Sequence, residues 1–391
     1  MAHDCQICGA RAGQLVADLG SVPTQCTALL PDAESARQAP TGRIRLMACG
    51  RCGSVCNVDF DPGLVPYDGQ YENSQFFSPR FRAYAEGLAG RLVRDHGLRD
   101  RHVVEVGSGK GEFLAELSRA GVARATGFDP SYEGEIDALD LPGVVMVREE
   151  FGRGAVAEPG AVVCRHVLEH LVDPVGFLTE VRGAMRNASV VLYLEVPNRG
   201  VTFSASGLWD VIYQHCTYFD ARSLSWVARQ AGFDVMRSGT VFDDQFLYLE
   251  AVPAGSVSGT GAGPASDVPS GEDSVGDDVR AFAALYARVT AEWDRRLRSW
   301  SAEGRRVGLW GAGAKGVTFL NVVHGDLVDA VIDVNPRKRG RFLPGTGHVV
   351  AAPEDLIAAP VDELVVMNAT YLDEIADQMD RLGVRSRITA L

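Results

Sequence analysis

Two short units, Cys5-Gln-Ile-Cys8-Gly9 and Cys49-Gly-Arg-Cys52-Gly53, carry the most specific chemistry in the chain. At this spacing both sulfurs of a pair reach one tetrahedral ion, and the following glycine admits the tight turn. Four thiolates fill every position around zinc, so the expected ion, held by Cys5, Cys8, Cys49 and Cys52, is structural and not a Lewis acid. Cys56 is an alternative ligand. Six of the eight cysteines precede residue 60. In a chain without a recognisable export signal, that asymmetry points to metal ligation and not to a disulfide framework.

A second constellation is Glu105-Val-Gly-Ser-Gly-Lys-Gly111, whose glycines at 107, 109 and 111 let a ligand lie against the backbone where a strand ends and a helix begins. Asp129 follows about twenty residues on, at the end of the next strand, where a carboxylate can take both ribose hydroxyls. The G-x-G-x-G placement favours an adenosyl nucleoside over a pyrophosphate. A second Gly-rich turn, Gly311-Ala-Gly-Ala-Lys-Gly316 with Asp333 beyond it, fits the dinucleotide fingerprint of an NAD-dependent oxidoreductase. With Lys315 inside the turn, the same backbone could hold a substrate diphosphate, with Lys315, Arg337, Lys338 and Arg341 supplying charge. A solvated basic loop is the third reading.

These turns need elements to position them. A helical pattern over Phe81, Tyr84, Leu88, Leu92 and Val93 leads into the apolar run His102–Val106, where the period changes to that of a buried strand. Strands then recur at Ala125–Phe128, Val144–Val147, Ala161–Cys164 and Val190–Val196 between helical stretches, which predicts an α/β fold with a mostly parallel sheet. Residues 1–75 are turn-rich and could not build much core unaided; they form the expected zinc-binding domain. Residues 76–253 form the nucleoside-binding domain, 254–276 a Gly/Ser/Pro-rich flexible linker, and 277–391 a second Rossmann-like domain opening with a helix over 277–303. The formal charge of −13 and pI near 5.1 argue against a nucleic-acid surface. No run of eighteen apolar residues occurs, so a cytoplasmic location is expected.

In order and spacing, Val103–Leu114, Gly127–Pro130, Val163-Cys-Arg-His-Val-Leu-Glu-His-Leu171 with Asp173-Pro174, and Glu195-Val-Pro-Asn198 resemble the successive motifs of class I S-adenosylmethionine-dependent methyltransferases. The resemblance implies that Glu105, Gly107, Ser108, Gly109 and Gly111 line the methionine side and that Asp129 holds the ribose. It further implies that Glu150 and Phe151 lie near the adenine and Arg165 and His166 near the sulfonium. Glu169 and His170 either cap and pack a helix start or contact a ligand. Together with the cysteine pairs and the tail Gly311–Gly316, Asp333-Val-Asn-Pro-Arg-Lys-Arg-Gly340, nearly the whole chain is similar to the three-part sugar C-methyltransferases of deoxysugar biosynthesis. Their usual acceptor is a nucleotide-linked ketosugar, which assigns Lys315, Asn335, Arg337 and Lys338 to the acceptor side.

The chain departs from that family where the acceptor should sit. A Tyr-His-Glu-His-x-x-Tyr-Phe element becomes Ile212-Tyr-Gln-His-Cys-Thr-Tyr-Phe219, and a His-Gly-Gly-Ser segment is replaced by Phe242-Asp-Asp-Gln-Phe246. The expected mechanism removes a proton next to a ketone, and the enolate attacks the sulfonium methyl. His215 is the expected base, because its ordinary pKa lies near working pH, with Tyr213, Gln214 or Tyr218 orienting the ring or the acceptor oxygens. A structural histidine at a helix start is the other reading of His215. Methylation of a hydroxyl or of a non-sugar carbon acid, an oxidoreductase, and a cofactor-binding scaffold without turnover are the rival functions.

Overall fold

The computed structural model describes residues 4–28, 30–66, 72–134, 141–152, 159–185, 189–255 and 275–391. The linker expected at 254–276 lies almost wholly outside the described residues. Three sheets organise the remainder.

The central sheet has seven strands. Its parallel part runs Val144–Val147, Arg124–Phe128, His102–Val106, Ala161–Arg165 and Val191–Pro197 across the sheet, and every strand expected between 102 and 196 forms. The antiparallel hairpin Phe233–Val241 and Phe246–Pro253 closes the far edge. Strand Ala161–Arg165 is buried at every position, as a strand covered on both faces should be. The helix Pro79–Asp95 covers one face through Phe81, Ala85, Leu88, Ala89, Leu92 and Val93, the helical period read from the sequence. Strand order reverses at His102–Val106, whose neighbours are Arg124–Phe128 and Ala161–Arg165. A crevice opens at such a switch point, and the turn at Gly107 stands over it.

The tail repeats the arrangement with a smaller, all-parallel sheet. Its order is Val350–Ala351, Ala330–Ile332, Val307–Trp310, Glu363–Val366 and Arg387–Ala390, so the switch point falls at Trp310 and Gly311. Helix Asp277–Ala302 precedes it and buries Val279, Phe282, Val289, Trp293 and Leu297. Phe282 stacks on Phe203 at 4.2 Å and Trp293 meets Phe319 edge-on at 5.4 Å. Each such side chain taken from water is worth about 1.5–3 kcal/mol, so this one stripe binds the long helix firmly.

The front of the chain forms an antiparallel sheet of Gly13–Pro23, Thr41–Cys49 and Val55–Asn57. Its fourth strand is Thr217–Tyr218, two residues beyond His215. Ile44 and Leu46 share a core with Trp293, Leu297, Val307 and Leu309, so this sheet takes its burial from the long helix and the tail. That is how a segment with few apolar residues of its own becomes stable. Among the described residues no helix is long and apolar enough to cross a membrane.

Candidate active site

Both switch points face a single cavity of about 700 Å³. At one end lies the turn after His102–Val106. Gly107 has φ 71° and a Cβ there would stand 2.2 Å from Val167 Cγ2, so no side chain fits. Glu105 is fully buried, and its Oε2 has no hydrogen-bond partner among the described residues. Burial pushes its carboxyl up to about 8. An orphaned acid in a Gly-lined crevice fits a cationic ligand such as the amino and sulfonium groups of S-adenosylmethionine. Ser108, Gly109, Glu150 and Phe151 also line this end, with Phe151 edge-on to Phe128 at 5.3 Å. Gly111 begins the helix Glu112–Arg119 in the left-handed region at φ 77°.

Asp129 also lines the cavity, and both its oxygens already hold backbone. Oδ2 accepts from Gly109 N at 2.7 Å and Oδ1 from Ser131 N at 2.8 Å. Oδ1 also accepts from Ser131 Oγ at 2.5 Å, so Oδ2 is the oxygen that keeps a second lone pair for a ribose hydroxyl. Asp129→Ala should therefore weaken S-adenosylmethionine binding by about 1.5–3 kcal/mol, through lost hydroxyl contacts and a loosened Gly109 turn. Calorimetric titration checks this, and a folded variant of unchanged affinity would remove Asp129 from the site.

Arg165 and His166 form a wall and not a loose contact. Arg165 lies over the Phe113 ring at 4.3 Å and donates to Glu195 Oε1 from Nε at 3.1 Å and Nη2 at 2.9 Å. Tyr84 and Tyr193 hydroxyls donate to Glu195 Oε2 at 2.5 and 2.7 Å. Burial works against the Glu195 charge, but Arg165 and His166 hold it well below the usual carboxylate range. His166, at φ 55°, places Nε2 3.2 Å from Glu195 and its ring edge-on to Phe246 at 4.5 Å. Although burial disfavours its charge, Glu169 and Glu195 push it up to about 9.

His170 and His215 also line the cavity, ring centroids 5.0 Å apart. Burial, reinforced by His170, pushes His215 down to about 4, so it is neutral at physiological pH. Gln214 Oε1 accepts from Cys26 N at 3.0 Å, while its buried Nε2 lacks a partner among the described residues. Tyr213 and Tyr218 do not reach the cavity, contrary to the role expected for them. Tyr213 packs on Gly42, accepts from Asp61 N at 2.8 Å and donates to Asp59 O at 3.1 Å; Tyr218 donates to Ile212 O at 3.1 Å. Both hydroxyls are spent on holding the loop that presents His215.

The tail contributes the other end. Gly316 is fixed by close approach, since a Cβ would stand 2.0 Å from Gly311 O. Lys315 lines the cavity with Nζ 3.4 Å from Asp210. Asp333 accepts from Ala312 N at 2.8 Å, from Asn335 N at 2.8 Å and from Lys338 Nζ at 3.0 Å, which neutralises the acid a dinucleotide ribose would need. Arg337 is turned away from the cavity lining and lies 3.5 Å from Glu72, over the Phe77 ring. Sequence reading missed Glu72, which is 2% exposed and also takes Asn335 Nδ2 at 2.9 Å and Lys110 Nζ at 2.6 Å. It missed Tyr84 and Phe246 as well. Tyr84 read as core, and Phe246 belongs to the Phe242–Phe246 segment, whose Phe242, Asp243 and Asp244 all have positive φ.

Away from the cavity the four sulfurs of Cys5, Cys8, Cys49 and Cys52 cluster, with Cys5–Cys52 3.7 Å and Cys8–Cys49 3.6 Å apart. Ligands at about 2.3 Å from a tetrahedral centre stand about 3.8 Å from each other, so the donor set fits zinc. Cys56 lies outside it, with its sulfur on Thr217.

A family model described as a methyltransferase domain matches residues 76–238, and one described as a C-methyltransferase C-terminal domain matches residues 274–386. No curated protein matches the chain. Among solved structures, a SAM dependent methyltransferase from Aquifex aeolicus is 16% identical, with 46% of this chain and 96% of that one covered at a TM-score of 0.38. The 1,6-didemethyltoxoflavin-N1-methyltransferase of Burkholderia thailandensis is 20% identical, with 44% and 78% covered at 0.35. Magnesium protoporphyrin IX methyltransferase from Synechocystis PCC 6803 is 17% identical, with 45% and 84% covered at 0.36. The Rossmann-like core, its Gly-rich turn and the first family match define a class I S-adenosylmethionine-dependent methyltransferase. The chain is an enzyme of that class, and it carries a C-methyltransferase C-terminal domain behind the core.

Proposed function

We propose that the enzyme methylates a carbon acid beside a ketone, with a nucleotide-linked ketosugar of natural-product biosynthesis as the acceptor. The observation that carries this reading is the single cavity shared by two Gly-rich turns, each at its own sheet's switch point. One turn suits a nucleoside sulfonium. The other offers a helix N-terminus and Lys315 to an anionic end, about where an acceptor spanning the cavity would place a diphosphate. His215 and Gln214, the groups expected to activate the acceptor, line the same cavity beside His170. Gln214 Nε2 supplies a donor to the ketone oxygen, a role its anchored Oε1 pre-organises. The α-carbon loses its proton toward the histidine wall, the enolate carbon takes the methyl, and S-adenosylhomocysteine leaves. The four cysteines hold a structural zinc in this reading.

In deuterated water the enzyme should exchange the α-protons of a nucleotide-linked ketosugar. Lys315→Glu should raise the acceptor KM by about tenfold or more while sparing S-adenosylmethionine affinity, since a charge-assisted contact becomes repulsive. A methyl group found on oxygen without such exchange, or an acceptor KM indifferent to Lys315→Glu, overturns the proposal.

A further inference from the structure

Glu169 is the least explained group in the cavity wall. Its carboxylate is 2% exposed, and neither oxygen accepts a hydrogen bond among the described residues. His166 Nδ1, 3.6 Å away, is near enough to pair with its charge but beyond hydrogen-bond reach. Meanwhile His166 Nε2 is 3.2 Å from Glu195, which has Arg165 as well. Buried carboxylates are paired, hydrogen-bonded or bound to metal, because the isolated charge costs several kcal/mol at least.

Two imidazoles complete the picture. His170 Nδ1 lies 2.9 Å from the Gln214 carbonyl oxygen, which can only accept, so Nδ1 carries the proton and Nε2 keeps its lone pair. A backbone carbonyl fixing one ring nitrogen is the usual support for a metal-ligating histidine. His215 faces the same space, and one donor atom each from Glu169, His170 and His215 lies within 4.8 Å of the other two. Donors at about 2.1 Å from one tetrahedral ion would be about 3.4 Å apart, so side-chain rotations must bring the three together by up to about 1.4 Å. Two imidazoles and a carboxylate suit a divalent first-row cation, and three protein ligands leave positions open.

We propose that Glu169, His170 and His215 form a second metal site, one that holds a divalent first-row cation with its open positions toward the acceptor. The ion would bind the acceptor's ketone and its enolate oxygen as a Lewis acid. This rests on the methyl-transfer reading above and gives His215 a ligand's role in place of the free base's; the α-proton, made acidic by the ion on the ketone, then leaves to solvent water. It also divides the two metals by function, since the cysteine ion has all four positions filled.

The test uses the full chain, purified, treated with a mild chelator that spares the cysteine-held zinc, and titrated with cobalt(II). One equivalent should bind and give the weak visible bands of nitrogen and oxygen ligation, without the intense thiolate charge-transfer absorption. Glu169→Gln and His170→Gln should each abolish that equivalent while retaining the zinc and S-adenosylmethionine binding. Absence of cobalt binding to the wild type, bands of thiolate type only, or binding unchanged in both variants would overturn the site. If the variants do not fold, the wild-type spectrum decides alone. Cobalt binding without α-proton exchange would sink the carbon-acid reading and leave the site standing. Exchange without a second metal would do the reverse.

Discussion

His215→Asn is expected to lower turnover by about 10²–10⁴-fold, the usual cost of losing a positioned group that moves a proton or activates the reacting atom. S-adenosylmethionine affinity should stay unchanged, because the donor is proposed to sit on Glu105, Gly107–Gly109 and Asp129 and not on this ring. A purely structural histidine would behave otherwise. One residue separates His215 from Thr217–Tyr218, the strand that pairs with Val55–Asn57, so a packing role would appear as a lower melting temperature and weaker binding of both ligands. Single-turnover rates with calorimetry on the same preparation separate the outcomes. Near-normal turnover with the true acceptor would remove His215 from the chemistry.

Cys52→Ser should have the largest effect on the fold. Structural zinc contributes about 10–16 kcal/mol of apparent binding free energy in small domains, and losing one thiolate forfeits a large share of it. The damage should spread. Arg199 donates to Gly53 O at 2.6 Å and Arg222 to Gly50 O at 3.0 Å, so the second knuckle is clamped to the methyltransferase core. The variant should lose chelator-resistant zinc, expose the front sheet to proteolysis and lose turnover. Elemental analysis with limited proteolysis checks this; a soluble Cys52→Ser protein with full zinc content would refute the ligand assignment.

Local patterns made much of this legible. The strands of the central sheet and the helix Asp277–Ala302 follow from apolar period, and the Gly-rich turns from backbone conformations that only glycine adopts freely. Side-chain direction at the acceptor side did not follow. Tyr213 and Tyr218 sit beside His215 in sequence, yet their hydroxyls are claimed by the backbones of Asp59, Asp61 and Ile212. Arg337 carries the charge an anionic acceptor wants, but Glu72, some 265 positions away, takes it. Glu72 lies in a segment whose turn residues announce nothing about charge. Glu169 was visible only as part of a common helix-start motif, and its lack of a hydrogen bond among the described residues is a tertiary fact.

Glu72 has one more consequence. Lys110 belongs to the Gly-rich turn proposed for the donor, Asn335 and Arg337 to the tail loop after Ala330–Ile332, and one buried carboxylate holds all three. Burial raises its pKa, but Lys110, Asn335 and Arg337 together keep it lowered. Any movement of the donor turn must therefore be felt by the tail loop, and the reverse. Such coupling is reciprocal: if the donor tightens the hold on the acceptor, the acceptor tightens the hold on the donor by the same factor. The two substrates would then not meet as independent guests. Spent donor and methylated product would be linked through the same three-way grip, so a change at Glu72 would reach both ends of the cavity at once.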